Sequence, residues 1–300
     1  KLYGFNALAP ATDSRTAILN KLAKSKRRQP LIKGAAFGKL LTQNNSQPSA
    51  SSKDWPTFRG DASRSGATKH DIATDLKPSW KTKLGGKLTS VVVADGRLFV
   101  AQINQHRVVA LDGKTGKELW SFMTGGRVDS PPTAHKGAIL FGSADGWVYC
   151  LRVTDGELAW KFQAALTDLR LPSFEQLESV WPVHGSVLVQ DDFAYFVAGR
   201  SNFLDGGMRL YKVNAATGEL MKTTVLDDKD PETGKDLQDK IATLQMPVGL
   251  PDILSSDGSY VYMRSQKMDL DGTRMEIGPI SGNAAEQGAA QEGDGRHLFA

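Results

Sequence analysis

The sequence predicts an all-β chain: a β-propeller of four-stranded antiparallel blades that makes up an incomplete ring. Three observations carry this. Trp80, Trp120 and Trp160 recur at a spacing of 40 residues, and a repeat of that length marks a solenoid, a propeller or an array. Their surroundings repeat too: Thr115-Gly116-Lys117-Glu118-Leu119-Trp120 is echoed by Thr154-Asp155-Gly156-Glu157-Leu158-Ala159-Trp160 and by Thr217-Gly218-Glu219-Leu220. Finally, one period holds four short β-rich runs, 88–94, 97–101, 107–111 and 118–122, parted by turns such as Asp95-Gly96 and Lys114-Thr115-Gly116. Glycine supplies the positive φ of such hairpins, and four strands per period exclude helical repeats. A unit of this size hides its faces by stacking radially on its neighbours.

Taken in order, residues 1–10 read as a remnant strand of a preceding blade or domain, because Leu2-Tyr3-Gly4-Phe5-Asn6-Ala7 parallels Leu210-Tyr211-Lys212-Val213-Asn214-Ala215. The chain opens on Lys1 rather than Met, so it reads as a piece of something longer, and the remainder of that chain is an expected partner. Residues 11–53 read as a basic helix and a polar linker. Ser14 caps the helix, Ile18, Leu19 and Leu22 form a narrow apolar stripe, and Pro30 stops it. Such a helix suits an anionic lipid surface or an acidic partner, or is simply solvated. From Thr42 to Lys53 the composition is too polar to order itself, which places a domain boundary there. Residues 54–300 are the blades, interrupted by insertions at 164–182 and 227–247. Long loops on a rigid scaffold are where function concentrates.

Charge divides at the same boundary. The 300 residues carry a net +4, but residues 1–53 hold +9 and the rest −5. The basic character belongs to the leader, and the blades lack the positive face that phosphate recognition needs, so no nucleic acid is expected. No run of 18 apolar residues occurs, so no membrane span is expected in this fragment. Cys150 is the only cysteine. It excludes an intrachain disulfide and a cysteine-based zinc site, and its strand context, Trp147-Val148-Tyr149-Cys150-Leu151, reads as a buried core thiol.

The run Ala110-Leu111-Asp112-Gly113-Lys114-Thr115-Gly116-Lys117-Glu118-Leu119-Trp120 resembles the A-x-D-x-x-T-G-K-E-x-W motif of the pyrroloquinoline-quinone-like repeat propellers at every defined position. Trp55-Pro56-Thr57-Phe58-Arg59-Gly60-Asp61 with Arg64-Ser65-Gly66 is similar to the lead-in before that family's first blade. The family comprises quinoprotein alcohol dehydrogenases and propellers without cofactor, among them an outer-membrane assembly lipoprotein. The resemblance implies seven or eight blades per ring, whereas 54–300 supplies four or five, so an open arc with unpaired edges is expected. It also implies a blade-docking role for Trp80, Ala110, Asp112, Thr115, Gly116, Trp120, Gly156, Trp160, Thr217 and Gly218. The motif weakens along the chain: Cys150, Arg152 and Asp155 replace its Ala, Asp and Thr in the second copy, and Lys212, Asn214 and Lys222 its Ala, Asp and Trp in the third.

On this reading the chain is a non-catalytic binding or scaffold module in an exported, periplasmic bacterial protein, with a protein or cell-envelope partner and no cofactor. The alternative is a quinone-dependent oxidoreductase holding pyrroloquinoline quinone with calcium. The family's dehydrogenases use a vicinal disulfide, which a single cysteine cannot form. Asp269-Leu270-Asp271-Gly272 hints at a calcium loop, but Ile280 stands where the closing carboxylate belongs, and a β-turn is the simpler reading. His70, His106, His135, His184 and His297 show no metal-ligand spacing. Catalytic, cofactor and metal residues are therefore expected to be none. A cluster of ionisable groups at the first insertion, Arg170, Glu175, Glu178 and His184, is the candidate loop-face site, against the simpler reading of a solvated loop.

Overall fold

The computed structural model describes residues 30–39, 54–236 apart from 69 and 73, and 253–275 apart from 265. The remnant strand at 1–10, the basic helix, most of the polar linker, the rest of the second insertion, Ile280 and His297 lie outside the described residues.

Antiparallel sheets follow one another along the chain. The first blade is β2 (Val92–Ala94), β3 (Arg97–Gln102), β4 (Arg107–Asp112) and β5 (Glu118–Met123), paired in that order. The second is β6 (Thr133–His135), β7 (Ala138–Gly142), β8 (Trp147–Arg152) and β9 (Leu158–Gln163). The third is β12 (Leu188–Gln190), β13 (Phe193–Ala198), β14 (Met208–Asn214) and β15 (Leu220–Leu226); a fourth begins with β16 (Ser255–Ser256), β17 (Tyr260–Met263) and β18 (Gln266–Asp269). Inner strands β2, β6, β12 and β16 stand side by side round the axis, and the described sheets form an arc that does not close. The expected first strand, 88–94, is shorter: only Val92–Ala94 pairs continuously, while Leu88 makes an isolated bridge to Gln102.

These strands read as unbroken apolar runs because both faces of each blade are covered. Alternate side chains point opposite ways. Along β4, Val108 and Ala110 pack with Ile139 and Phe141 of the second blade, while Val109 and Leu111 pack under Trp80 and Leu84. Along β8, Tyr149 and Leu151 turn to the first blade, and Val148 and Cys150 to Phe196 and Tyr211 of the third. Cys150 is wholly buried, and burial pushes its thiol pKa up, which keeps it inert.

Each tryptophan of the repeat reaches the following blade. The indole nitrogens of Trp80, Trp120 and Trp160 donate to Gly113 O (3.0 Å), Val153 O (2.9 Å) and Ala215 O (3.2 Å). Beneath the rings lie Gly116, Gly156 and Gly218, at φ +69°, +72° and +69°. A Cβ there would stand 2.3, 2.5 and 2.7 Å from indole carbons, so glycine is required twice over, by conformation and by space. Ala110, wholly buried, pairs with Trp120 across β4 and β5.

The turns beneath the indoles keep one backbone geometry with three different clasps. Asp112 Oδ1 accepts from the amides of Lys114 and Thr115 and the Thr115 hydroxyl; Asn214 Oδ1 accepts from the amides of Ala216 and Thr217. Where the second copy departs from the motif, Arg152 reaches forward to Asp155 and Glu157. In all three, the glycine amide returns to the carbonyl of the first residue at 2.8 to 2.9 Å.

Asp269–Gly272, the suspected calcium loop, is the matching turn of the fourth blade. It is one residue tighter, with Gly272 N donating to Asp269 O (2.8 Å) three positions back rather than four, but Thr224 Oγ1 donates to Gly272 O (2.5 Å) as Thr82 Oγ1 does to Gly116 O (2.6 Å). Lys222 is the neighbour in the tryptophan's place. The described part of the second insertion holds one more such turn, with Asp230 accepting from Glu232 N, Thr233 N and Thr233 Oγ1, but no side chain of the described residues covers Gly234.

The lead-in forms a hub. Trp55 exchanges backbone bonds with Val93, Pro56 O accepts from Ala134 N, and Ala62 O accepts from Ser256 N. Arg64 Nε donates to Leu254 O (2.9 Å) and Nη1 to Thr57 Oγ1 (2.6 Å). Thr133 Oγ1 donates to Val187 O (2.6 Å), so in the Thr57–Thr133 pair (2.9 Å) the proton comes from Thr57. One relay thus joins Arg64 to the second and third blades. Its acceptors are neutral, and burial lowers the Arg64 pKa to about 10 against the pull of Asp61, which leaves it charged at neutral pH.

The stretch 30–39 differs from the detached linker expected of it. β1 (Leu31–Lys33) pairs antiparallel with β9 and makes the second blade five-stranded. The reason is local: Leu31, Ala36 and Phe37 supply apolar contacts that the charge and polarity of the surrounding sequence mask.

Candidate functional site: the loop-bearing face

The connections between blades, 124–132 and 164–187, and the turns 103–106, 143–146 and 199–207 share one face. The first insertion folds there as a ribbon, β10 (Arg170–Ser173) and β11 (Gln176–Ser179). Phe174 and Glu175, at φ +50° and +63°, make its two-residue turn, the geometry of type I′. The ribbon bends back over the first two blades: Gln176 Oε1 meets His106 Nε2 at 2.7 Å, and Ser179 N donates to Ala144 O at 2.8 Å.

Beneath the ribbon lies a chain of charges. The Glu178 side chain is 0% exposed and sits between two arginines, Arg127 Nε at 2.8 Å and Arg200 Nη2 at 2.7 Å. Two guanidinium groups on one carboxylate satisfy a charge that would be costly if buried alone. Arg127 also stands 3.4 Å from Asp129 and lies over the Phe174 ring at 4.3 Å. Asp129 Oδ2 pairs with His184 Nδ1 at 2.6 Å. Burial works to raise the Asp129 pKa, but the His184 hydrogen bond and the charges of His184, Arg127 and Lys87 outweigh it and hold the carboxyl below its ordinary range. An ionised carboxylate can only accept, so His184 Nδ1 carries the proton of this bond. Asp145 adds a third fixed carboxylate, accepting from Gly125 N, Trp147 N and Tyr149 OH. Burial, then the Asp145 charge, pushes the Tyr149 pKa up and keeps the phenol a donor.

Of the four residues singled out from the sequence, the structure brings Glu178 and His184 into one network, joined through Arg127 and Asp129. Arg170 instead points outward and pairs with Asp168 at 2.9 Å, and Glu175 lies exposed at the ribbon's tip. Arg127, Asp129 and Arg200 were not anticipated. A signal for Asp129 exists in the repeat register: it precedes Thr133, and His184 precedes Leu188, by the same four residues, and Thr133 and Leu188 pair equivalently in their blades. Arg200 has no counterpart of this kind.

Outward, the ribbon shows Phe174 and Leu177, 73% and 61% exposed. Its free edge does not invite another strand. Ser173 and Gln176 flank the turn and exchange hydrogen bonds, so Pro172, opposite Leu177, turns its nitrogen to the open edge, where it has no proton to give. The face can therefore bind by side-chain packing and by ion pairing. Among the described residues, no three His, Cys, Asp or Glu side chains are grouped to hold a metal ion.

A family model described as outer membrane protein assembly factor BamB matches residues 64–270. The BamB of Burkholderia pseudomallei is 32% identical over 92 residues, covering 31% of this chain and 24% of its own. The quinoprotein ethanol dehydrogenase of Pseudomonas aeruginosa is 26% identical over 206 residues, covering 55% of this chain and 32% of its own. Among solved structures, the quinohemoprotein alcohol dehydrogenase from Comamonas testosteroni superposes with a TM-score of 0.55 at 18% identity, over 79% of this chain and 42% of that one. The chain thus spans between about a fifth and a third of the curated relatives' length.

Proposed function

The chain belongs to the outer membrane protein assembly factor BamB family of pyrroloquinoline-quinone-like repeat propellers, and from that premise we propose that it is a non-catalytic scaffold of the bacterial cell envelope that binds a protein partner through its loop-bearing face. The observation that carries this is the division of labour on that face. Its buried charges are spent on one another, with Glu178 held by Arg127 and Arg200 and Asp129 held by His184, while the groups turned outward are the apolar Phe174 and Leu177. Fixed charges that shape a ribbon and an apolar tip left in water fit recognition of a protein surface.

The second reading, a quinone-dependent oxidoreductase, draws on the 206-residue similarity to quinoprotein ethanol dehydrogenase. What favours the first reading is that, among the described residues, Cys150 is buried within β8 and Glu178, Asp129 and Asp145 are engaged with protein donors rather than turned toward a ligand.

A photocrosslinker placed at Phe174 or Leu177 in the full chain, in its native envelope, tests the first reading. Adducts to one protein from both positions, and none from the exposed Lys77 on the lead-in side, are expected; adducts independent of position would sink it. Titration with pyrroloquinoline quinone and calcium tests the second, and a bound chromophore with dye reduction would establish it instead.

A further inference from the structure

We propose that the outer edge of the second blade is a peptide-binding groove for extended segments of the pattern Leu-x-x-Gly-x-Ala, filled here in cis by the chain's own residues 31–36. This adds a second surface to the protein-binding reading above and rests on it only in treating the propeller as a scaffold.

The repeat is complete without this strand. Among the described residues the first and third blades have four strands each, and β6 to β9 already supply the same four, with Trp160 docked on the third blade. β1 is an addition, joined to the hub through a stretch whose sequence from Thr42 to Lys53 is predominantly polar. It is held as an added strand is, by backbone bonds with side-chain pockets for selectivity. Gln163 N donates to Pro30 O at 2.7 Å, Gly34 N to Ala159 O at 2.8 Å, and Ala36 N to Leu158 O at 3.0 Å.

Three positions are read. Leu31 packs beside Trp160, and its Cδ1 and the indole share the space over Gly218. A Cβ on Gly34 would stand 2.1 Å from Leu158 O, a backbone atom that cannot step aside, so only glycine passes. Ala36 is 0% exposed within the core between the second and third blades, which leaves no room for a larger residue. Ile32 and Lys33 face solvent and are free to vary. The edge of β9 thus differs from that of β10, where Pro172 withholds a donor. A tethered occupant enjoys a millimolar effective concentration, so a peptide in trans binds only when the cis segment is displaced.

The test uses the full chain carrying Gly34→Val or, separately, Ala36→Arg, each of which ejects the cis segment without altering the blade. A fluorescent peptide of residues 30–39 is titrated by anisotropy. Both variants are expected to bind it saturably, at least about tenfold more tightly than wild type, whose groove is filled, and a peptide carrying Gly34→Val should not bind. No saturable binding to either variant overturns the proposal, as does binding that tolerates Gly34→Val in the peptide. Because neither substitution touches Phe174, Leu177 or the charge network, the loop-face crosslinks report on the other reading independently.

Discussion

At the rim of the propeller, Trp80, Trp120 and Trp160 repeat one contact three times, each indole on a glycine and a carbonyl of the next blade. At the loop-bearing face nothing repeats: Glu178, Arg127, Arg200, Asp129 and His184 come from three different connections and meet once. The rim is apolar and tolerant in its details, since Asp112, Arg152 and Asn214 all clasp the same backbone turn. The face is polar and intolerant, because every member of its network has a specified partner. Stacking at the three tryptophan contacts therefore needs only a glycine of positive φ and a ring to cover it, and at Gly272 an alkyl chain, that of Lys222, stands in for the ring, whereas a binding face needs particular side chains.

The comparison breaks first at the centres of its two halves. Trp160→Ala should cost about 3–5 kcal/mol in urea unfolding, the range for a large aromatic lost from a packed core. Glu178→Ala should cost a similar ~3–5 kcal/mol, because it strands Arg127 and Arg200 without their shared carboxylate. The two differ in how they can be rescued. Replacing the charges together, Glu178→Leu with Arg127→Met and Arg200→Met, should recover most of the loss, while no polar substitution at Trp160 should. A Glu178→Ala loss below about 1 kcal/mol would show that water reaches the network.

Next comes Gly156→Ala, which sets a methyl 2.5 Å from the Trp120 ring at φ +72° and should cost about 1–3 kcal/mol. The same change at Gly234, where φ is +67° but no atom of the described residues lies within 4 Å, keeps the backbone strain and removes the clash. Equal losses at both sites would mean that the indole contact contributes nothing. Below these stands the clasp of the second blade: Arg152→Ala should lose only about 0.2–1 kcal/mol, shrinking in high salt, as exposed ion pairs do.

Rim and face were unequally legible in the sequence. Four-strand blades, the docking tryptophans and the turn glycines could be read because each is dictated by local conformation and by a period. The Asp269–Gly272 turn was legible as a turn but not as a blade turn, since Lys222 stands where the tryptophan would have announced it. β1 was hidden because a three-residue added strand has no periodicity of its own; its signals, Gly34 and Ala36, are small residues whose meaning depends on Leu158 opposite. On the face, Glu178 and His184 stood out as ionisable groups near an insertion, but their link through Arg127 and Asp129 joins residues about 50 apart in sequence, a closure that only the fold makes. Arg170 and Glu175 share that neighbourhood in sequence and not in space.

The smallest expected effect separates the two halves by pH. Asp129 is held below the ordinary carboxylate range in the folded chain, after burial has been outweighed by the His184 hydrogen bond and the nearby positive charges. The unfolded carboxyl titrates at about 3.9, so between that value and the lower folded one the unfolded state binds more protons. The stability Asp129 contributes is therefore fully present above about pH 4 and is lost as pH falls through its folded value. Asp129→Asn should flatten the acid limb of the stability profile while leaving the difference between wild type and Trp160→Ala unchanged with pH, because no titrating group takes part in the indole contact. An acid limb just as steep in Asp129→Asn would assign the acid sensitivity elsewhere, and would leave the carboxylate at the face a spectator to folding.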